Sequence, residues 1–314
     1  MNILLCIDNN YVMPIGVLIT SIGINNQEHI NYYVFTDATF KDEYKEVLRS
    51  VAKTYGHTIS FYVIEHEDIA EFPFGRSDQP QHVSIATYYR LFVSKVLPKD
   101  VKRIIYLDGD MVVRHSLKEL WGADIENYAV GVVHDVSEPL HLKDERLSYP
   151  REYGYFNAGM LLINVDYWRK NHCLERFADY VKHNRDKIIM HDQDVLNAVL
   201  YKEKKWLPVT YNFQSGFIFR PQYQSYNPDL SQAIEKYKYN PTIIHYVSSS
   251  KPWNVNCFFS YRGAWRYYWR RSIWKSQKLE YDSPHGFKEH LRNFLLRHDL
   301  WFPDVRYQRI ILRK

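Results

Sequence analysis

The amino-acid sequence predicts an α/β protein built around a mostly parallel β-sheet. Short apolar runs such as residues 3–7, typical of strands buried on both faces, alternate with longer stretches whose apolar residues recur at helical spacing. Because parallel strands are joined through long crossovers, usually helices, this alternation favours a parallel sheet. Two aspartates directly after one buried run indicate the ligand-binding edge that such sheets have at the carboxyl ends of their strands.

Three strands and two helices account for the first 64 residues. Strands are predicted at 3–7, 31–36 and 58–64, and the helices between them at about 14–25 and 40–55. This strand–helix alternation is the pattern that predicts the parallel sheet.

The α/β pattern continues through the middle of the chain. A helix at 86–94 precedes a strand at 103–107, and later strands are predicted at 129–133, 160–164 and 242–245. With 46% hydrophobic and 25% charged residues, the composition is ordinary for a globular protein of this length.

A basic, aromatic segment follows the α/β pattern. We predict a domain boundary near residue 260, with an α/β domain over 1–260 and an extension over 261–314 that contains a helix at about 286–298. Residues 262–314 carry thirteen Lys or Arg and five Asp or Glu, a net charge of +8. Because the whole chain has a net charge of +5, residues 1–261 have a net charge of −3. This asymmetry predicts an anionic partner, and a nucleic acid or an anionic membrane surface fits.

The three cysteines, Cys6, Cys173 and Cys257, are far apart and form no CxxC pair. This spacing indicates reduced thiols and neither a zinc site nor a disulfide framework, so we expect a cytoplasmic protein. The amino terminus begins directly as a strand, without the basic and apolar regions of a signal peptide. No stretch approaches the length of apolar residues that a membrane-spanning helix needs.

The local motif that most strongly indicates a ligand site is Asp108-Gly109-Asp110, which has two carboxylates directly after the strand at 103–107. Carboxylates at the carboxyl end of a parallel strand point into the crevice where α/β proteins bind ligands. Hard oxygen ligands suit Mg²⁺ or Mn²⁺, which bridge the phosphates of nucleotides. Asp-Gly is also a common turn dipeptide, so a solvated turn is the alternative.

Three further motifs are candidates for the same site. His245 ends a strand and could supply a nitrogen ligand, although a histidine at a strand end is more often a structural residue. The Ser-rich loop that follows leads to Lys251, which could supply a positive charge for phosphate. His191 to Asp194 places carboxylates and an amide together, while Asp192 is also a good N-cap for a helix that ends near residue 200. Residues 155–160 are predicted as a small-residue turn before a strand.

Taken in order along the chain, these motifs resemble glycosyltransferase family 8, the retaining enzymes of the GT-A fold. The resemblance runs from residue 2 to about 255 and predicts a mostly parallel, Rossmann-like sheet flanked by helices. The matching pieces are Asp8-Asn9-Asn10-Tyr11, Tyr88-Tyr89-Arg90-Leu91, Tyr106-Leu107-Asp108-Gly109-Asp110, Phe156-Asn157-Ala158-Gly159, His191-Asp192-Gln193-Asp194 and His245 through Lys251-Pro252-Trp253.

The resemblance implies a role for each matching residue in binding a UDP-sugar donor and Mn²⁺, with Mg²⁺ as the alternative metal. The implied metal ligands are Asp108, Asp110 and His245. The implied nucleotide contacts are Cys6, Ile7, Asp8 (uracil), Asn10 (ribose), Tyr11 (stacking on the base), Arg90 (ribose and donor sugar), Gly109, Ser248 and Lys251 (diphosphate). The implied donor-sugar and catalytic residues are Asn157, Asp192 and Gln193.

Two features of the resemblance bear on mechanism. Ser248 stands where the family usually has glycine, which leaves the detail of diphosphate binding open. Gln193 would lie at the reacting side of the anomeric carbon, and an amide is a poor nucleophile. The resemblance therefore implies front-face attack with retention, in which the departing phosphate helps to deprotonate the acceptor.

The resemblance implies transfer of a hexose, galactose or glucose, to a saccharide or glycolipid acceptor, as in lipopolysaccharide or other cell-surface glycan synthesis. A metal-dependent nucleotidyltransferase and a non-catalytic nucleotide-sugar-binding or saccharide-binding protein are the alternatives. The sequence names neither donor sugar, acceptor, linkage nor oligomeric state. An oxidoreductase is disfavoured because no Gly-x-Gly-x-x-Gly turn follows the first strand.

The basic segment is predicted to hold the protein peripherally at the inner face of a membrane. Trp265, Trp269, Trp274 and Trp301 lie among its basic residues, and tryptophan favours the membrane interface. Since Trp265 and Trp269 are four residues apart, the alternative is that they pack on the α/β domain. Nucleic acid is not expected as a partner, because no recognised nucleic-acid-binding motif accompanies the charge.

Overall fold

The computed structural model describes most of the chain. The described residues are 1–70, 72, 84–141, 146–219, 227–247, 250–257, 259–281, 286, 291, 294–295, 300, 310 and 312.

A seven-stranded sheet forms the centre of the molecule, in the order β3-β2-β1-β4-β7-β6-β8, and a three-stranded sheet, β5-β10-β9, lies beside it. Strands β1 to β4 are parallel to one another, whereas β7 runs antiparallel to both β4 and β6. The strands are β1 Asn2–Cys6, β2 Asn31–Thr36, β3 Thr58–Val63, β4 Arg103–Leu107, β5 Met111–Val113, β6 Val130–His134, β7 Phe156–Asn164, β8 Lys204–Trp206, β9 Phe213–Gln214 and β10 Ile243–His245.

Helices cover both faces of the large sheet. Alternate residues of β1 show this, because Ile3 and Leu5 belong to one hydrophobic cluster and Leu4 to the other. The α-helices are α1 Val12–Asn25, α2 Asp42–Thr54, α3 His66–Ile69, α4 Val93–Val96, α5 Lys118–Trp121, α6 Glu138–His141, α7 Val165–Lys170, α8 Cys173–Asn184, α9 His191–Leu200, α10 Pro228–Tyr237 and α11 Arg262–Trp269.

The structure confirms the predicted α/β fold and corrects two of its elements. The strand predicted at 160–164 begins at Phe156, so the small residues before it extend a strand and do not form a turn. The helix predicted at 86–94 is a 3-10 helix, Ile85–Phe92, followed by the short α4. Most of the helix predicted at 286–298 lies outside the described residues.

The first helix of the C-terminal segment packs into the core of the α/β domain. Trp265 is fully buried, and the Trp269 ring stacks on it with 6.5 Å between ring centroids. Asn25 of α1 donates to the hydroxyl of Tyr268 over 2.9 Å. The predicted boundary at residue 260 thus falls between elements that share one hydrophobic core.

Tryptophans of this segment serve packing. A Cβ atom on Gly16 of α1 would lie 1.9 Å from the ring of Trp274, so only glycine allows this approach. Trp301 lies outside the described residues. None of the described helices is long and apolar enough to cross a membrane. The cysteines Cys6, Cys173 and Cys257 are free thiols.

The Trp265→Ala substitution is expected to lower the free energy of unfolding by about 3–5 kcal/mol, because it removes a fully buried indole and leaves a cavity. Tyr267→Ala on the same helix is the matched control, since Tyr267 is 45% exposed. Urea unfolding curves compare the two variants. Equal stability of the two would contradict the assignment of α11 to the core.

Candidate active site

Three side chains of the kind that bind metal ions converge where the two sheets meet. Asp108 follows β4, Asp110 precedes β5, and His245 ends β10. Register brings them together, because His245 pairs with Met111 and the Tyr246 N–H donates to the Asp110 carbonyl over 2.9 Å. One ligand atom from each of Asp108, Asp110 and His245 lies within 4.8 Å of the others.

Gly159 of β7 makes room for this cluster. Its carbonyl accepts from the Asp108 N–H over 2.8 Å, which brings the β7 backbone against the loop. A Cβ atom on Gly159 would lie 2.3 Å from Cε1 of His245 and 2.8 Å from Oδ2 of Asp108. A side chain here would therefore displace two of the three candidate ligands.

A chain of amides orients His245. The Nδ1 atom of His245 lies 3.0 Å from Oδ1 of Asn212, and Asn212 in turn donates to Oδ1 of Asn157 over 2.8 Å. Because the amide oxygen of Asn212 faces the ring, it can accept the Nδ1 proton, which would leave the Nε2 lone pair for a bound cation. Such a partner fixes the tautomer that a metal-binding histidine needs.

Asp110 lies between two nitrogen groups. Lys251 Nζ is 2.6 Å from its Oδ2 atom, and His245 Nε2 is 3.2 Å from its Oδ1 atom. Burial by itself raises the pKa of Asp110, but Lys251 and His245 outweigh burial and hold the pKa well below the ordinary value. Asp110 is therefore a carboxylate at neutral pH, the form that binds metal.

Arg90 is a buried cation that ties Asp108 to the helices. Its Nη2 atom donates to Asp108 over 3.0 Å, and its Nε atom lies 3.1 Å from Asp192. Its Nη1 atom donates to the Ala158 carbonyl over 2.6 Å, and the guanidinium lies 4.1 Å from the centre of the Tyr106 ring. Burial lowers the pKa of Arg90, but the two carboxylates raise it by more, so the charge is retained.

Asp192 does not cap α9, contrary to the alternative drawn from its position in the sequence. The N-cap residue is Met190, whose own side chain makes no cap, and Asp194 accepts the Met190 N–H over 2.7 Å. The Asp192 carboxylate turns instead to Arg90 and to the Thr87 hydroxyl. Burial raises the pKa of Asp192 to about 6, against the opposing effect of Arg90.

The amide of Gln193 is held on both of its ends. Its Oε1 atom accepts from the Ala158 N–H over 2.9 Å, and its Nε2 atom donates to Asp135 over 3.3 Å and to the Tyr155 hydroxyl over 3.2 Å. Asn157 donates to the same Asp135 carboxylate over 2.9 Å. Gln193 and Asn157 are thus fixed against each other by one buried carboxylate.

A cavity of about 260 Å³ opens above these groups. Tyr11 stands at its wall, with its ring edge-on to Trp253 at 5.7 Å, and a Cβ atom on Gly109 would lie 2.8 Å from the Tyr11 ring. The predicted residues that line the cavity are Cys6, Ile7, Asp8, Tyr11, Arg90, Asp108, Gly109, Asp110, Asn157, His245 and Lys251.

Three predicted site residues do not line the cavity, and a fourth lies outside the described residues. Asp192 and Gln193 lie one layer behind the cavity, where they contact its lining residues Arg90 and Asn157. Asn10 is exposed and is not among the lining residues. Ser248 lies outside the described residues.

The sequence interpretation missed two residues of the site. Asp135 follows β6 directly, and its position after a buried strand was the same signal that identified Asp108. Asn212 lies in a short 3-10 helix without any sequence pattern that indicates a role. Only the fold reveals that Asn212 contacts His245.

Comparison with known proteins identifies the family that this arrangement belongs to. Residues 2–257 match the sequence profile of "Glycosyl transferase family 8". The chain belongs to glycosyltransferase family 8. The resemblance drawn from the motifs is confirmed, and this family 8 member is a glycosyltransferase.

Two relatives of this family 8 chain match most of its length. General stress protein A of Bacillus subtilis is 27% identical over 281 residues, which are 88% of this chain and 95% of the relative. Lipopolysaccharide 1,2-glucosyltransferase of Escherichia coli K12 is 27% identical over 314 residues, which are 95% of this chain and 86% of the relative.

A solved structure confirms the GT-A fold. The crystal structure of the galactosyltransferase LgtC, in complex with donor and acceptor sugar analogues, superposes with a TM-score of 0.75 at 23% identity. The match covers 87% of this family 8 chain and 96% of LgtC.

Proposed function

We propose that this family 8 protein transfers a hexose, galactose or glucose, from a UDP-sugar to a saccharide acceptor, with retention and with help from a divalent cation. The observation that carries the proposal is the cluster of Asp108, Asp110 and His245 beside the 260 Å³ cavity. A role in lipopolysaccharide or other cell-surface glycan synthesis is supported by the relative that is named a lipopolysaccharide glucosyltransferase.

The donor set fits a divalent cation. Two carboxylates and an imidazole nitrogen suit Mn²⁺, and Mg²⁺ is the alternative. Gly159 supports the fit, because its lack of a side chain leaves room for the His245 and Asp108 side chains to approach each other. When bound, the cation would act as a Lewis acid that stabilises negative charge on a departing diphosphate.

Other residues of the cavity are proposed to bind the nucleotide and the donor sugar. Asp8 and Tyr11 line the cavity and are proposed to hold uracil, by accepting its N–H and by stacking. Lys251, now paired with Asp110, is proposed to hold the diphosphate as a point charge. Arg90 keeps Asp108 oriented and lines the same cavity, and it is proposed to contact the ribose and donor sugar.

We favour front-face attack for the chemical step. The acceptor hydroxyl oxygen bonds to the anomeric carbon, the bond from that carbon to UDP breaks, and the acceptor proton passes to the departing phosphate oxygen. Gln193 is an amide held by its hydrogen bonds to Ala158 and Asp135, so it fixes the position of Asn157 and the donor sugar and does not act as a nucleophile.

Gln193→Ala is expected to lower kcat about 100-fold with a much smaller change in donor affinity, because positioning acts mainly at the chemical step. Steady-state kinetics and donor titrations measure the two effects separately. A glycosyl–Gln193 adduct found by mass spectrometry, or a product of inverted configuration, would contradict the mechanism.

Asn197→Ala is the matched structural control for this experiment. Asn197 lies one turn further along α9 and donates to the carbonyls of Phe156 and Gln193, both over 2.9 Å. Its loss is expected to lower stability, with kcat largely retained. If both variants lose kcat equally, Gln193 has only a structural role.

A donor screen tests the proposed function. The protein is incubated with Mn²⁺, a saccharide acceptor, and UDP-galactose, UDP-glucose, UDP-N-acetylglucosamine or UDP-glucuronate, and UDP release is measured. We expect UDP release with one of the two hexose donors. In a parallel assay with UTP and a sugar 1-phosphate, release of pyrophosphate would indicate a nucleotidyltransferase. Donor binding without turnover in either assay would indicate a binding protein.

We further propose that the C-terminal segment contacts an anionic membrane from the cytoplasmic side, where a glycolipid acceptor lies. Since Trp265 and Trp274 serve packing, the proposal now rests on the net charge of +8 and on exposed apolar side chains. Ile273 is 60% exposed and Phe294 is 54% exposed.

Liposome sedimentation tests this contact. Replacing Ile273 and Phe294 by serine is expected to weaken binding to anionic liposomes, whereas Ile189→Ser, at a 50% exposed site outside the segment, is not. A chain ending at residue 261 is unsuitable, because it lacks the buried Trp265. If the intact protein ignores anionic liposomes at low salt, the membrane proposal fails.

A further inference from the structure

A second cavity, of about 520 Å³, lies in the C-terminal segment. Four cationic side chains line it: Arg262, Arg266, Arg270 and Lys278. None of the described residues that line this cavity, which we call the basic cavity, carries a carboxylate. The lining also includes aromatic and apolar groups, among them Trp269 and Tyr281.

The geometry of α11 concentrates this charge. Arg262, Arg266 and Arg270 are spaced four residues apart, which places them along one face of the helix. Like charges at this spacing destabilise a helix by a few tenths of a kcal/mol per pair, so the arrangement opposes the helix's own stability. Grouping of this kind is typical of a site that receives a negative charge.

The basic cavity is distinct from the donor cavity but adjoins the same loop. Arg266 donates to the carbonyls of Pro252 and Asn254, over 3.4 Å and 2.9 Å. Lys251, directly before Pro252, reaches Asp110 in the candidate active site. The basic cavity thus lies on the other side of the loop that supplies Lys251, and no described residue lines both cavities.

We propose that the basic cavity binds a phosphate-bearing ligand. Arg270 presents a fork of N–H donors that matches phosphate oxygens, and Lys278 adds a point charge at the rim. Arg262 and Arg266, which already donate to backbone carbonyls, add positive charge to the lining. The volume exceeds what a bare phosphate ion occupies, and Trp269 and Tyr281 provide apolar surface for the group that carries the phosphate. A phospholipid headgroup and a soluble phosphate compound share this chemistry.

Isothermal titration calorimetry on the full chain tests the proposal. The probes are inorganic phosphate and monomeric dihexanoyl-phosphatidylglycerol, each titrated into protein that carries Lys251→Ala to weaken binding at the donor cavity. We expect saturable binding that falls at least tenfold when Arg270 and Lys278, both exposed at the rim, are replaced by glutamine. Tighter binding of the lipid would identify a headgroup site, and tighter binding of inorganic phosphate a site for soluble phosphates.

Arg271 and Lys275 provide the matched control. Both are exposed neighbours of the replaced residues, and neither is among those that line the basic cavity. Replacing this pair by glutamine removes the same charge and is expected to change affinity less than twofold. Absence of saturable binding, or equal weakening by both pairs, would overturn the proposal. The experiment measures binding and not sugar transfer, so a failure of the phosphate-site proposal is distinguishable from a failure of the proposed function.

Discussion

Replacing Asp110 by asparagine is expected to lower the rate of sugar transfer by about 1,000-fold while the protein stays folded. Asparagine keeps the shape of the side chain but removes the charge that Lys251 and His245 face at 2.6 Å and 3.2 Å. A metal site that loses one of two carboxylates loses most of its affinity at ordinary metal concentrations. The rate change corresponds to about 4 kcal/mol, within what a Lewis-acid cation contributes to a transition state.

Initial rates of UDP release over a range of Mn²⁺ concentrations measure this effect. Asp100→Asn, at an exposed position away from the donor cavity, is the control and should behave as the unmodified protein does. Near-normal turnover of the Asp110→Asn variant would show that Asp110 is not a metal ligand.

Gly159→Ala is expected to abolish metal-stimulated transfer although it adds a single methyl group. The new Cβ atom would lie 2.3 Å from the His245 ring and 2.8 Å from the Asp108 carboxylate, well inside van der Waals contact. His245 is held from its other side by Asn212, so the strain falls on the ligand set. We expect a loss of transfer of at least 100-fold, since small displacements of positioned groups have effects of this size.

The control is Gly286→Ala, where no described residue would lie within 4 Å of the added Cβ atom. Circular dichroism and thermal unfolding establish that both variants fold. If Gly159→Ala retains normal transfer and a normal response to Mn²⁺, the three-ligand cluster is not the metal site.

Much of this site was predictable because functional side chains in α/β proteins often lie at the ends of strands. Asp108 and Asp110 follow β4, and His245 ends β10, so sequence position alone placed all three at sheet edges. Tyr11 follows the first strand in the same way. What brought these separate signals into one site was their order along the chain, which matched a family.

The remainder depends on contacts between residues distant in sequence. Asn212 supports His245 from 33 positions away, and Asp135 joins Gln193 across 58 positions, separations that no local pattern reveals. The strand start at Phe156 was missed because Ala158 and Gly159 weaken a strand pattern, although their small size is what the site requires.

The charge of the C-terminal segment did not predict which of its residues are buried. The net charge predicts a surface for an anionic partner, which stays a prediction, and the structure adds that Trp265 is fully buried and Arg262 is 5% exposed. A helix with alternating cationic and aromatic residues can serve both packing and binding, and composition does not separate the two.

Direct binding of Mn²⁺ tests the central claim most closely. In a titration followed by electron paramagnetic resonance, with UDP present, the unmodified protein should bind one Mn²⁺ per chain, and the Asp110→Asn and Gly159→Ala variants should bind none at the same concentrations. No bound Mn²⁺ in the unmodified protein, or binding by both variants equal to that of the unmodified protein, would contradict the assignment of Asp108, Asp110 and His245 as the metal site.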